Sequence, residues 1–110
     1  MSRFAFLDTL EETIRVRADA GDASASYVAG LLKKGPTSIA KKVGEEGVEV
    51  ALAAASGTPQ ALVAESADLL FHLLVLWQSA GVTPEDVAEE LRRREGVSGL
   101  AEKAARKETP

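Results

Sequence analysis

Thr58-Pro59-Gln60-Ala61-Leu62-Val63-Ala64-Glu65-Ser66-Ala67-Asp68-Leu69-Leu70-Phe71-His72-Leu73-Leu74-Val75-Leu76-Trp77 is the stretch on which the reading of this chain turns. Thr58 is an N-cap residue and Pro59 fits the first helical turn, so a helix is expected to start here. It should reach Ser79 or Ala80, with Gly81 at its end. Between Ala61 and Trp77 nearly every position is apolar, on all sides of the helix and not in one stripe, which is the pattern of a helix buried all round. Five short helices in 110 residues can hardly enclose such an element. The expectation is therefore a homodimer in which this helix packs against its twin and against the helix before it. A compact monomer with an apolar excess is the alternative.

The rest of the chain also reads as helix. Phe4, Leu7, Leu10 and Ile14 recur at spacings of three and four, predicting a first helix that ends near Gly21. Ser24 or Ser26 caps a short second helix carrying Tyr27, Val28, Leu31 and Leu32, stopped by Gly35-Pro36. Thr37 or Ser38 caps a third, which runs to about Ala55 before Ser56-Gly57. Thr83-Pro84 opens a fifth, with Glu85 and Asp86 where the helix dipole favours acids, ending at about Gly96. Residues 97–110 read as a frayed, charged tail. No alternating strand pattern and no linker composition interrupts this series, so the fold class is all-α, with about five helices and one domain over 1–110.

Composition narrows the function. Net charge is −4 and the pI is about 5.0, which argues against a general nucleic-acid binder, since that would need a basic face. An acidic protein that takes a phosphorylated ligand needs local cations or metal ions to offset repulsion. The absence of cysteine excludes disulfides, thiolate catalysis and thiolate zinc sites. The N-terminal residues do not form a signal-peptide core, and the apolar run Leu69 to Trp77 is broken by His72 and too short to span a bilayer. No membrane partner is expected, and the default compartment is the cytoplasm.

Two sets of acids sit where apolar residues belong. The third helix contains Lys41-Lys42-Val43-Gly44-Glu45-Glu46-Gly47-Val48-Glu49. At about 100° per residue, Glu45 and Glu49 lie about 40° apart and Glu46 about 60° beyond Glu49. Glu65 and Asp68 of the fourth helix are about 60° apart, among leucines. Burying an unpaired carboxylate costs several kcal/mol, and five clustered carboxylates repel one another. A hard divalent cation relieves both penalties, and carboxylate oxygens suit Mg²⁺ or Mn²⁺. Taken singly, Glu45, Glu46 and Glu49 also fit a solvated helix face. Glu65 and Asp68 fit that plain reading less well, because their helix is so apolar.

Glu45-Glu46-x-x-Glu49, fifteen intervening residues and Glu65-x-x-Asp68 together resemble the metal-binding signature of the all-helical, MazG-like nucleotide pyrophosphatases. The flanking runs Ser26-Tyr27, Leu31-Leu32, Gly35, Lys41 to Glu46 and Asp68 to Leu76 resemble the phosphoribosyl-ATP pyrophosphohydrolase family specifically. The resemblance covers about residues 5 to 97. It implies a helical bundle completed by homodimerisation, and Mg²⁺-dependent hydrolysis of phosphoribosyl-ATP to phosphoribosyl-AMP and pyrophosphate in histidine biosynthesis. On the matching positions, it implies that Glu45, Glu46, Glu49, Glu65 and Asp68 hold the metal. It also implies that one glutamate, Glu46 or Glu49, orients or deprotonates the attacking water. Gly47 stands where the family usually has alanine; it lowers helix propensity by about 1 kcal/mol but removes no functional group.

Lys33, Lys34, Lys41 and Lys42 surround the Gly35-Pro36 turn and the start of the third helix, where backbone N–H groups point outward to receive phosphates. Taken singly, each reads more readily as a solubilising lysine, and Lys42 is the exception because it lies on the angular sector between Glu49 and Glu46. Lys34, Lys41 and Lys42 form the expected substrate-binding set. His72 reads first as a satisfied core histidine, with phosphate binding or a hydrogen bond to a metal ligand as the alternatives. Tyr27 and Trp77 read as core or interface aromatics, with adenine stacking as the alternative. Arg92, Arg93 and Arg94 match the dipole of a last helical turn. Three other functions compete: a pyrophosphatase for free nucleoside triphosphates, a carboxylate-bridged di-iron bundle, and a non-enzymatic helical dimerisation module. The di-iron bundle would want two Glu-x-x-His pairs, and this chain has one histidine.

Overall fold

The computed structural model describes residues 5–20, 26–95, 103, 104 and 106. Five helices follow one another: α1 (Ala5–Ala20), α2 (Tyr27–Lys34), α3 (Pro36–Ser56), α4 (Pro59–Ala80) and α5 (Pro84–Arg94). Among the described residues there is no strand, so the chain is all-α. Two caps act as expected: Thr58 accepts from Ala61 N–H at 3.1 Å, and Thr83 forms a capping box with Asp86. Ser26 caps α2, accepting from Ala29 N–H at 3.3 Å. Ser24, Gly21 and nearly all of the 97–110 tail lie outside the described residues.

One expected cap is corrected. Neither Thr37 nor Ser38 caps α3, because both already lie inside the helix. Pro36 opens it instead, its missing N–H costing nothing at that position. Gly35 supplies the φ of +97° that lets α2 stop and α3 start with no loop between them, a backbone shape costly for any residue with a Cβ.

The main interhelical contact is between α3 and α4, which fold back on each other across Gly57 and Thr58. Gly57 is required by close approach: a Cβ there would meet the Ala53 carbonyl oxygen at 2.7 Å. In such a hairpin, residues equally far from the turn face each other. Ile39 and Val75, equally distant along the chain from Gly57, are both fully buried. They anchor the core with Ile14, Val28, Leu31 and Leu74, so α1 and α2 close over the end of the hairpin far from its turn.

Toward the turn, large apolar side chains stay exposed, and Leu62, Val63 and Leu70 of α4 line an open groove with Phe6, Leu7 and Leu10 of α1. Val48 and Leu52 of α3 and Val63 of α4 are more than half exposed, and Leu70 is also exposed. The all-round burial expected of α4 is therefore not supplied by this chain alone: its apolar outer face points away from the core. By length and apolarity α4 could also cross a bilayer, a longer apolar segment than the run Leu69 to Trp77 suggests. It carries Glu65 and Asp68 in the first half of its length.

Candidate metal centre

The register that pairs Ile39 with Val75 also fixes the acids. Glu46 and Asp68 are equally far from Gly57 on either side of the turn, and so are Glu49 and Glu65, somewhat nearer to it. At about 1.5 Å per residue, both pairs sit midway along the hairpin, between the packed core and the turn. The carboxylate oxygens of Glu46, Glu65 and Asp68 lie within 4.8 Å of one another. Glu46 is buried, Glu65 half-buried and Asp68 exposed, so the cluster opens from the hairpin floor to solvent.

Its electrostatics are those of an under-neutralised site. Lys42 Nζ lies 3.2 Å from Glu46 Oε1, one turn away on α3, and is the one cation in an ion pair with the cluster among the described residues. That hydrogen bond and the Glu46 charge hold the Lys42 ammonium above its usual range. Glu65 has no such partner among the described residues. Partial loss of water pushes its carboxyl up first, and the negative charges of Asp68, Glu49 and Glu46 push it further. Glu49 is thus close enough to be felt by the cluster, although its oxygens are not among the converging three.

Of the five acids expected to act together, the fold brings Glu46, Glu65 and Asp68 together, sets Glu49 beside them, and leaves Glu45 outside the converging set. Glu45 lines a neighbouring open cavity of about 270 Å³ with Lys34, Lys41, Lys42, Ser38 and Tyr27. The three lysines expected to bind substrate therefore share one cavity, and Lys42 joins it to the acid cluster. A three-oxygen set from carboxylates fits a hard divalent cation and lacks the softer donors that copper or thiolate-bound zinc would want.

His72 proves to be a satisfied buried histidine. Its Nδ1 lies 2.7 Å from the Asp68 carbonyl oxygen and its Nε2 lies 2.9 Å from the Tyr27 hydroxyl. Of the roles expected of Tyr27, core packing is the one it does not fill: it is more than half exposed and walls the lysine cavity, with its ring stacked on Phe71. This Tyr27–His72 link spans 45 residues, and no local pattern in the sequence announces it. Trp77 packs against the core, and Arg92, Arg93 and Arg94 occupy the last turn of α5 as expected.

Comparison with known proteins bears on what such a site does. Residues 7–95 match the family described as phosphoribosyl-ATP pyrophosphohydrolase. A phosphoribosyl-ATP pyrophosphatase of Rhizorhabdus wittichii is 58% identical over 91% of this chain and 93% of its own length. Proteins of the same name from Azospirillum brasilense and Gluconobacter oxydans are 52% and 51% identical, over 94% and 91% of this chain and 92% and 74% of their own lengths.

Proposed function

Because the chain belongs to the phosphoribosyl-ATP pyrophosphohydrolase family, we propose that its α3–α4 acid cluster is a Mg²⁺ centre serving the reaction of that family. The enzyme hydrolyses phosphoribosyl-ATP to phosphoribosyl-AMP and pyrophosphate, a step of histidine biosynthesis. The observation that carries the metal proposal is the convergence of Glu46, Glu65 and Asp68, with Lys42 as their one ion-pair partner among the described residues. Mn²⁺ satisfies the same oxygen donors. When bound, the cation supplies charge neutralisation to the polyphosphate and polarises it toward attack.

The chain's own residues divide the remaining work. Lys34, Lys41 and Lys42 offset phosphate charge from the adjoining cavity. A water molecule attacks a phosphorus of the α–β anhydride, the P–O bond of that anhydride breaks so that pyrophosphate parts from phosphoribosyl-AMP, and the water's proton passes to a carboxylate. Glu46 is buried and already paired with Lys42, whereas Glu49 is exposed and pairs with no cation among the described residues. Glu49 is therefore the better-placed base of the two. Glu45, lining the lysine cavity, is left to order that cavity or to join the metal when substrate is present.

A homodimer is the proposed assembly, and the bare apolar surface of Val48, Leu52, Val63 and Leu70 supports it. A second copy laid on that face would complete the burial that α4 demands. Sedimentation should give twice 11.6 kDa at micromolar concentration, and Val63→Asp should shift it toward the monomer; an unmodified monomer of 11.6 kDa would refute the assembly. The reaction is placed in the cytoplasm, with no membrane or nucleic-acid partner. The test of function is incubation with phosphoribosyl-ATP, and separately with ATP, in Mg²⁺ and in EDTA. Pyrophosphate should appear from phosphoribosyl-ATP with Mg²⁺ alone. Preference for plain nucleoside triphosphates would favour a general pyrophosphatase instead.

A further inference from the structure

We propose that Lys42 is a resident counter-ion of the acid cluster, steadying the Glu46 carboxylate until a Mg²⁺ ion displaces it toward the lysine cavity. The proposal rests on the Mg²⁺ reading of the cluster for the identity of the incoming cation, and on the ion-pair geometry for the exchange. Glu46 is the buried member of the cluster, with 11% of its side chain exposed, and a buried carboxylate without a partner is strongly disfavoured. Lys42, one turn earlier on α3, supplies that partner: its Nζ lies 3.2 Å from Glu46 Oε1. The carboxylate it steadies is one of the three whose oxygens converge within 4.8 Å.

Metal and ammonium therefore want the same group. Mg²⁺ approaches its oxygen ligands to about 2.0–2.1 Å, closer than an ammonium comes. On Oε1 it would sit within roughly 5 Å of Nζ, where a double charge repels the ammonium twice as strongly as a single one. On the other oxygen it draws away the negative charge that holds Lys42. Lys42 also has somewhere to go. Its side chain is 37% exposed and ends a flexible four-carbon stem. It lines the adjoining cavity together with Lys34, Lys41 and Glu45. Glu45, three residues further along the helix, already acts on the Lys42 charge. Displacement thus gives the cavity a third ammonium for phosphate, so that metal binding readies it for substrate. Lys42 is a positioning residue for the metal, acting through Glu46.

Two measurements test this, both without substrate. The first is calorimetric titration with Mg²⁺. Lys42→Met keeps the stem and removes the competing charge, so it should bind Mg²⁺ about 3- to 10-fold more tightly than wild type. In EDTA it should melt lower than wild type, and saturating Mg²⁺ should close the gap. Lys42→Arg should do the opposite to affinity: a guanidinium grips a carboxylate with two parallel hydrogen bonds, so Mg²⁺ should bind more weakly than to wild type. The second is a crystal structure of the wild type with Mg²⁺, which should place Lys42 Nζ more than about 4 Å from both Glu46 carboxylate oxygens, beyond ion-pair range. Lys42→Met with unchanged or weaker Mg²⁺ affinity, or a Mg²⁺-loaded structure with the ion pair intact, overturns the exchange. Equal affinities of Lys42→Arg and wild type, which a lysine merely repelling the metal from nearby would give, overturn it too. If wild type and Lys42→Met both ignore Mg²⁺, the metal reading itself falls, and the exchange with it.

Discussion

The acids of α5 and those of the α3–α4 hairpin are the same residue types put to opposite uses. On α5, Glu85 and Glu89 pair with Arg92, and Glu90 pairs with Arg93 at 2.7 Å and with Arg94 at 3.6 Å. All of these pairs lie within one helix, at spacings of three, four and seven, on a surface open to water. On the hairpin, Glu46, Glu65 and Asp68 come from two helices to one point, and Lys42 is the single cation paired with them among the described residues. The shifts follow the arrangement: Arg93 draws the Glu90 carboxyl below its usual range, whereas desolvation and its neighbours push Glu65 above it. The lesson is that an acid count says little; local pairing marks a solvated face, and unpaired convergence between elements marks a site.

The largest expected break between the two regions is in turnover. Glu46→Gln and Asp68→Asn keep shape and much hydrogen-bonding capacity while removing one charge each. Each should cut phosphoribosyl-ATP hydrolysis in Mg²⁺ by at least about a hundredfold, as expected when metal-assisted charge stabilisation is lost. Wild-type turnover in both variants would reduce the hairpin to another α5.

A second contrast is in pH dependence. The raised carboxyl of Glu65 means the ionised form is disfavoured by folding, so its contribution to stability is complete below its unfolded value near 4.5 and is lost as pH rises through the higher folded value. Glu90, lowered, works the other way: its contribution is present above 4.5 and is lost only as pH falls below that. In EDTA, wild type should therefore gain melting temperature relative to Glu65→Gln as pH falls through the raised folded value toward 4.5. Thermal melts of the two proteins across that range check it, and parallel curves would show that Glu65 is not strained by its neighbours. Saturating Mg²⁺ should remove the gain, because the metal favours the ionised form.

The smallest effect belongs to α5. Arg92→Gln or Glu90→Gln breaks exposed ion pairs that salt and water already weaken, so turnover should stay within about twofold and the melting temperature should barely move. A large loss of activity from either would give α5 a part in the site that its geometry does not show.

Much of this is legible in the sequence, for local reasons. Thr58-Pro59 and Thr83-Pro84 announce helix starts because cap and first turn are neighbours in the chain. Gly35-Pro36 reads as a stop and is in fact a hinge, since Pro36 opens α3 where Thr37 or Ser38 is expected to cap it. The acids are readable as a set but not as a subset: helical angles place Glu45, Glu46 and Glu49 within one broad sector and cannot say which edge faces α4. The equal distances of Glu46 and Asp68, and of Glu49 and Glu65, from Gly57 set Glu45 apart from the other four once a hairpin is assumed, but do not separate Glu49 from the converging three. The apolar circumference of α4 speaks of burial without naming what supplies it, and within one chain much of that burial is missing. Tyr27 and His72 meet only through the packing of α2 on α4, a contact with no trace in spacing.

The central claim, that the hairpin acids are held together for a cation, is tested most directly by melting the metal-stripped protein while Mg²⁺ is added at constant ionic strength. Binding to the folded state alone raises stability with the logarithm of free cation once the site begins to fill. Wild type should rise in this way, Asp68→Asn should stay flat, and Asp68→Asn in EDTA should melt no lower than wild type, since one of three crowded charges is gone. A wild-type melting temperature that Mg²⁺ leaves unchanged, or an equal rise in Asp68→Asn, would contradict the account.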